Sequence, residues 1–154
     1  MGNYFLLSMR FNKRTPEDFG LVSSENSDIF IRQNDNSQWK SRPLYDYGWG
    51  KENGYFKIPM PNFAELVNII LESKSDDDKY GSAAVILDDY CEELLDKCFE
   101  IFESGDNLKN YSEFFKILQL QTPVNRSSTM GKEYSCVSED YERWKMIANR
   151  ISNI

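Results

Sequence analysis

Ala83-Ala84-Val85-Ile86-Leu87-Asp88-Asp89-Tyr90-Cys91-Glu92-Glu93-Leu94-Leu95-Asp96-Lys97-Cys98-Phe99-Glu100-Ile101-Phe102-Glu103 contains no glycine and no proline. Leu87, Cys91, Leu94, Leu95, Cys98, Ile101 and Phe102 recur in it at three- and four-residue steps, the spacing of one helical face. Ser82 can cap the start of this helix, and Ser104-Gly105-Asp106 ends it. A break near Asp88 to Tyr90, giving two helices, satisfies the pattern equally well. The stretch decides the fold class, because it makes the second part of the chain helical.

Working outward, Asn62 with Glu65 three residues on resembles a capping box, with Asn in place of Ser or Thr. Phe63, Leu66, Val67 and Ile70 then mark the buried side of a preceding helix. Ser73 to Lys79 reads as a polar loop. Towards the other end, Tyr111, Phe114, Phe115 and Leu118 predict a helix that stops before Pro123. The Ser- and Thr-rich segment 125–132 is a loop, and Ser138 caps a last helix carrying Tyr141, Trp144, Ala148 and Ile151. The first 60 residues have a different period. Phe5, Leu7, Met9 and Phe11 alternate with Tyr4, Leu6, Ser8 and Arg10, and 28–32 and 54–58 are shorter strand candidates. Between the last two, 33–53 has no clean period and reads as a long loop holding Trp39, Tyr45, Tyr47 and Trp49. The expected architecture is α+β: a small antiparallel sheet from the N-terminal third, followed by four to five helices packed as one domain, 1–154, with a strand and loop part (1–60) and a helical part (61–154).

The 154 residues are 40% hydrophobic and 14% aromatic, enough for one core and too apolar for a disordered chain. Ala83 to Leu87 is the longest strictly apolar run, far short of the roughly 20 residues that cross a bilayer. Neither a secretory signal nor a myristoylation motif stands at the start, so a cytoplasmic location is expected and no membrane partner. Cys91 and Cys98 on one helix lie about 10.5 Å apart along its axis, beyond disulfide reach. Three reduced thiols are expected.

The chain has no histidine. The usual triad base, the commonest zinc ligand and the side chain that titrates nearest neutrality are therefore missing. Asp76, Asp78 and Gly81 match positions 1, 3 and 6 of an EF-hand loop, but Tyr80 and Leu87 stand at positions 5 and 12, where oxygen ligands belong. Gly48, Gly50 and Gly54 are spaced one residue too long for a dinucleotide fingerprint. No cofactor and no metal is implied, and no catalytic residue can be named. What chemistry survives is that of carboxylates, which leaves a carboxylate-dependent enzyme or small-ligand binder, with a pocket near 33–54, as an alternative reading. A scaffold or homo-oligomer subunit, marked by a large apolar surface patch, is a third.

Charge is the strongest remaining signal. Residues 76–106 carry eleven carboxylates against Lys79 and Lys97, a net −9 in a chain whose total is −7. Such a field disfavours nucleic acid and can steer a basic partner. Asp89, Glu93, Asp96, Glu100 and Glu103 recur at three- and four-residue steps opposite the apolar stripe, with Glu92 beside them. Like charges at that spacing cost roughly 0.2 to 0.5 kcal/mol per pair, so a stripe of one sign points to a partner that supplies the other. Trp39, Tyr45, Tyr47 and Trp49 either pack back onto the sheet or, exposed, add the aromatic anchors common in binding hot spots.

Size, an acidic helix and the stretch from Tyr80-Gly81-Ser82-Ala83-Ala84-Val85-Ile86-Leu87 to Glu92-Glu93-Leu94-Leu95 make the chain similar in type to the immunity proteins of bacterial polymorphic toxin systems. The resemblance covers mainly residues 62–104 and carries over no functional residue. It implies a non-catalytic cytoplasmic protein that covers the basic active site of a cognate toxin, such as a nuclease. The partner expected is a basic protein, bound through Asp89, Glu93, Asp96, Glu100 and Glu103, with Trp39, Tyr45, Tyr47 and Trp49 as the aromatic part of the surface.

Overall fold

A computed structural model describes residues 2–8, 14–46 and 51–154, with the backbone alone for Tyr45, Asp46, Lys51 and Glu52. Among the described residues the fold is α+β, an antiparallel five-stranded sheet followed by five helices. The strands are β1 (Phe5–Leu7), β2 (Leu21–Ser23), β3 (Phe30–Arg32), β4 (Gln38–Asp46) and β5 (Lys51–Lys57), ordered β1-β5-β4-β3-β2. The helices are α1 (Phe63–Glu72), α2 (Asp76–Asp89), α3 (Cys91–Glu103), α4 (Ser112–Ile117) and α5 (Tyr134–Ser152). Among the described residues no helix is long and apolar enough to cross a membrane. The chain divides into two compact units, Met1–Ala84 and Val85–Ile154, so α1 and the first part of α2 group with the sheet.

In the first unit, Phe5, Leu6 and Leu7 are all fully buried. Leu6 joins Phe19, Leu21 and Trp39 in a cluster against which Phe30 and Tyr55 pack, while the ring of Phe5 lies on the other face against Gly81 of α2. A strand covered on both faces shows continuous rather than alternating hydrophobicity, which is why the expected one-sided alternation does not describe β1. Any side chain at Gly81 would run into the Phe5 ring, so glycine sits in mid-helix to let α2 approach the strand.

The expected long loop 33–53 is a strand and part of another. Gln38–Asp46 forms β4 and pairs with β5 from Trp39↔Lys57 to Asp46↔Lys51, with a register shift between Pro43 and Tyr45. Lys40, Ser41 and Pro43 are exposed, so β4 lacks the apolar alternation that marks a half-buried strand. Its proline is tolerated because β3 pairs only with Gln38 and Trp39, leaving the rest of β4 at an edge.

The start of α2 is also earlier than the pattern implied. Asp76, Asp77 and Asp78 form its first turn rather than a solvated loop, which removes the EF-hand comparison. The cap is Ser75: its hydroxyl accepts from the Asp78 N–H at 3.3 Å and its carbonyl from the Lys79 N–H at 3.1 Å. Three acids in a first turn also suit the positive end of the helix dipole. Ser82, expected as the cap, is fully buried and its hydroxyl has no hydrogen-bond partner among the described residues. The helix does break where an interruption was possible, with Tyr90 at φ −133° between α2 and α3. Asn62 caps α1 as expected, accepting from the Glu65 N–H at 2.9 Å, and α5 begins at Tyr134, four residues ahead of Ser138.

Candidate functional site

The second unit presents the acidic face. α3 turns Leu94, Leu95, Cys98 and Ile101 inward. Helical geometry then sends Glu93, Asp96, Glu100 and Glu103 to the opposite side, where all four are exposed. Asp89 is exposed too, but it ends α2 beyond the Tyr90 break, so the expected line of five is four residues on one helix and a fifth on the helix before it. Lys97 Nζ lies 3.2 Å from Glu100 Oε1 on the same face. No ion pair reaches Glu93, Asp96 or Glu103 among the described residues.

Glu92 belongs to a different arrangement. Lys132 Nζ stands 3.6 Å from its carboxylate and 2.7 Å from that of Asp140, which is itself buried and lies 3.6 Å from Arg143. The hydrogen bond to Asp140 raises the Lys132 pKa above the ordinary ammonium value, so this cation keeps its charge. It ties the start of α3 to α5. At the other end the Arg150 guanidinium sits 5.6 Å above the Phe102 ring, so α3 and α5 run side by side in the same direction.

Arg126 fixes the loop before α5. It stacks 5.2 Å over Trp144 and donates to the carbonyls of Gln119 (2.6 Å), Thr122 (3.1 Å) and Val124 (3.1 Å), while the Trp144 indole donates to Ser127 Oγ at 2.9 Å. No sequence pattern marks Lys132 or Arg126. Both act on groups with no fixed helical spacing to them, so periodicity carries no trace of the contacts.

Of the aromatic residues expected on the surface, the one whose side chain is described is buried. Trp39 is 0% exposed in the sheet core, its indole N–H donating to Ser37 Oγ at 2.7 Å and its ring under the Arg32 guanidinium at 5.5 Å. It is a packing residue and leaves the candidate face. Tyr45 contributes backbone to β4, opposite Glu52; its side chain, and Tyr47 and Trp49 altogether, lie outside the described residues.

Among the described residues, no group of three or more acidic or cysteine side chains is arranged to hold a metal ion. The thiols are free: Cys98 is buried, Cys91 partly so, and Cys136 exposed. Burial pushes the Cys98 pKa up to about 12. An open hollow of about 380 Å³ lies between the start of β1 and α1, lined by Asn3, Tyr4, Glu65, Asn68, Glu72 and Asp78 among others. It lies outside 33–54, where the small-ligand reading would put a pocket. The oxygens of Asp78, one of its lining residues, are already engaged, accepting from the N–H groups of Asn3, Tyr4 and Phe5 at 2.8 to 2.9 Å.

No family model matches the chain, and no curated protein and no solved structure matches it either.

Proposed function

We propose that this chain is a non-catalytic binding protein that neutralises or regulates a basic protein partner through the exposed face of α3, in the manner of the immunity proteins its sequence resembles. One observation carries the reading: Glu93, Asp96, Glu100 and Glu103 share an exposed face to which α3 itself brings a single cation, Lys97, and it pairs with Glu100. Neighbouring like charges on a helix are a standing cost. A helix shaped for stability alone would mix signs on its exposed face. A basic partner supplies the missing sign, and its approach is accelerated by the concentrated field.

Replacing Glu93, Asp96 and Glu100 together by lysine tests this against the partner recovered from the native host. The association rate at low salt is expected to fall at least tenfold and its salt dependence to flatten. An unchanged rate and an unchanged affinity would overturn the proposal. Because the three side chains are exposed, the variant should fold, and circular dichroism would verify that.

A further inference from the structure

We infer that the β2 edge of the sheet is a second docking site, which takes an extended basic segment of a partner protein as an added strand. This goes beyond the α3 reading, since it concerns the other compact unit and backbone rather than side-chain groups.

The edges of the sheet are finished differently. On β1, the outward N–H groups of Phe5 and Leu7 donate to Asp78 Oδ1 at 2.9 Å and Asp77 Oδ2 at 3.3 Å, and the Leu7 carbonyl accepts from Arg14. That edge is sealed. On the half of β4 beyond β3, Gln38 bonds toward β5 through the Ile58 N–H, so alternation turns Ser41 and Pro43 outward, and proline offers no donor.

β2 carries no such seal. Gly20 O accepts from Gln33 N–H at 2.9 Å, Ser24 N–H donates to Ile29 O at 3.0 Å, and Val22 lies opposite Ile31. Alternation then gives Leu21 and Ser23 an N–H and a C=O each that point away from β3. None of these four groups has a partner among the described residues. The Leu21 side chain is buried in the core, which anchors the strand, while Val22 is 42% exposed. An unpaired edge of this kind is a template for strand addition.

Charge selects the occupant. Residues 15–31 contain Glu17, Asp18, Glu25 and Asp28 and no Lys or Arg, and all four carboxylates are exposed, two before β2 and two after it. A second copy of this chain, paired β2 to β2, would bring like charges together. A segment bearing Lys or Arg is attracted, and an apolar residue beside Val22 completes the contact.

The test uses the full chain and two capped octapeptides, one alternating Lys with Val and one alternating Glu with Val, followed by amide hydrogen exchange. The Lys–Val peptide is expected to slow exchange at Leu21 and Ser23 at least tenfold, and the Glu–Val peptide to leave both unchanged. Ser23→Pro removes one outward donor and should weaken Lys–Val binding at least tenfold. Should that variant fail to fold, Glu17→Lys with Glu25→Lys, which touches no ladder hydrogen bond, is expected to weaken it similarly. The Glu93, Asp96 and Glu100 to Lys variant should bind the peptide as the parent does. Absence of protection at Leu21 and Ser23, equal binding of the two peptides, or protection that grows with protein concentration alone would each overturn the inference.

Discussion

Asp77 and Asp78 are 7% and 2% exposed and accept from four backbone N–H groups of residues 3–7, whereas Glu93, Asp96, Glu100 and Glu103, drawn from the same acidic run, stand in solvent on α3. The first pair is spent on structure. Its oxygens replace a neighbouring strand along the edge of β1, and Arg14 at 3.1 Å from Asp77 offsets the buried charge. The second set makes one lysine contact and otherwise faces water. Equal charge density in sequence thus yields opposite roles, and what separates them is whether backbone donors surround the carboxylate. An ionised acceptor facing several N–H groups is among the stronger hydrogen-bonding arrangements in proteins.

The largest test of the contrast is Asp78→Ala. It leaves the buried Phe5 N–H unpaired and hands the part-buried N–H groups of Asn3 and Tyr4 back to water, so at about 1 to 3 kcal/mol for a buried donor left unpaired and about 1 kcal/mol for each other hydrogen bond lost the chain should lose about 2 to 4 kcal/mol in denaturant unfolding. A loss below about 1 kcal/mol would show that the clamp is dispensable. Arg14→Met, which leaves Asp77 largely buried without its cation, should cost about 1 to 3 kcal/mol by the same measure. On α3 the sign should reverse. Asp96→Lys removes repulsions with Glu92, Glu93 and Glu100 and should raise stability by about 0.5 to 1 kcal/mol at a few tenths per pair, while slowing partner association. A variant that is both less stable and equally fast would break the comparison.

The smallest effect is chemical and leaves the fold alone. The thiolate is the reactive form of cysteine, and burial holds Cys98 protonated until about pH 12. At pH 8 iodoacetamide should therefore modify exposed Cys136 first and Cys98 last, as read by mass spectrometry. Early labelling of Cys98 would mean that α3 does not keep its apolar side covered, and with it that the acidic side is not fixed outward.

The helical half of the fold was legible because burial and period coincide there: Leu66, Val67 and Ile70 in α1 and Leu94, Leu95 and Cys98 in α3 are the residues their spacing marked. β4 was hidden by its own exposure, since Lys40, Ser41 and Pro43 give it the composition of a loop. The clamp was hidden by distance. Ser75-Asp76-Asp77-Asp78 does carry the S-x-x-D signature of a helix start, but nothing local shows that Asp78 reaches residues 3–5. For the candidate site, the face of α3 could be drawn from spacing alone. The burial of Trp39 and the pull of Lys132 on Glu92 depend on tertiary neighbours, which a single sequence does not display.

The reach of Asp78 to Phe5, 73 residues away in the chain, also bears on the order of assembly. During synthesis β1 is made long before either of the things that hold it, the β5 strand and the first turn of α2. Until both have followed, Phe5-Leu6-Leu7 is an exposed apolar segment with no strand beside it, the kind of transient species that invites aggregation. Long-range closure of this sort is slow. Folding of the first unit is therefore expected to finish at its own beginning, with β1 docking only once Asp77 and Asp78 are in place to receive it.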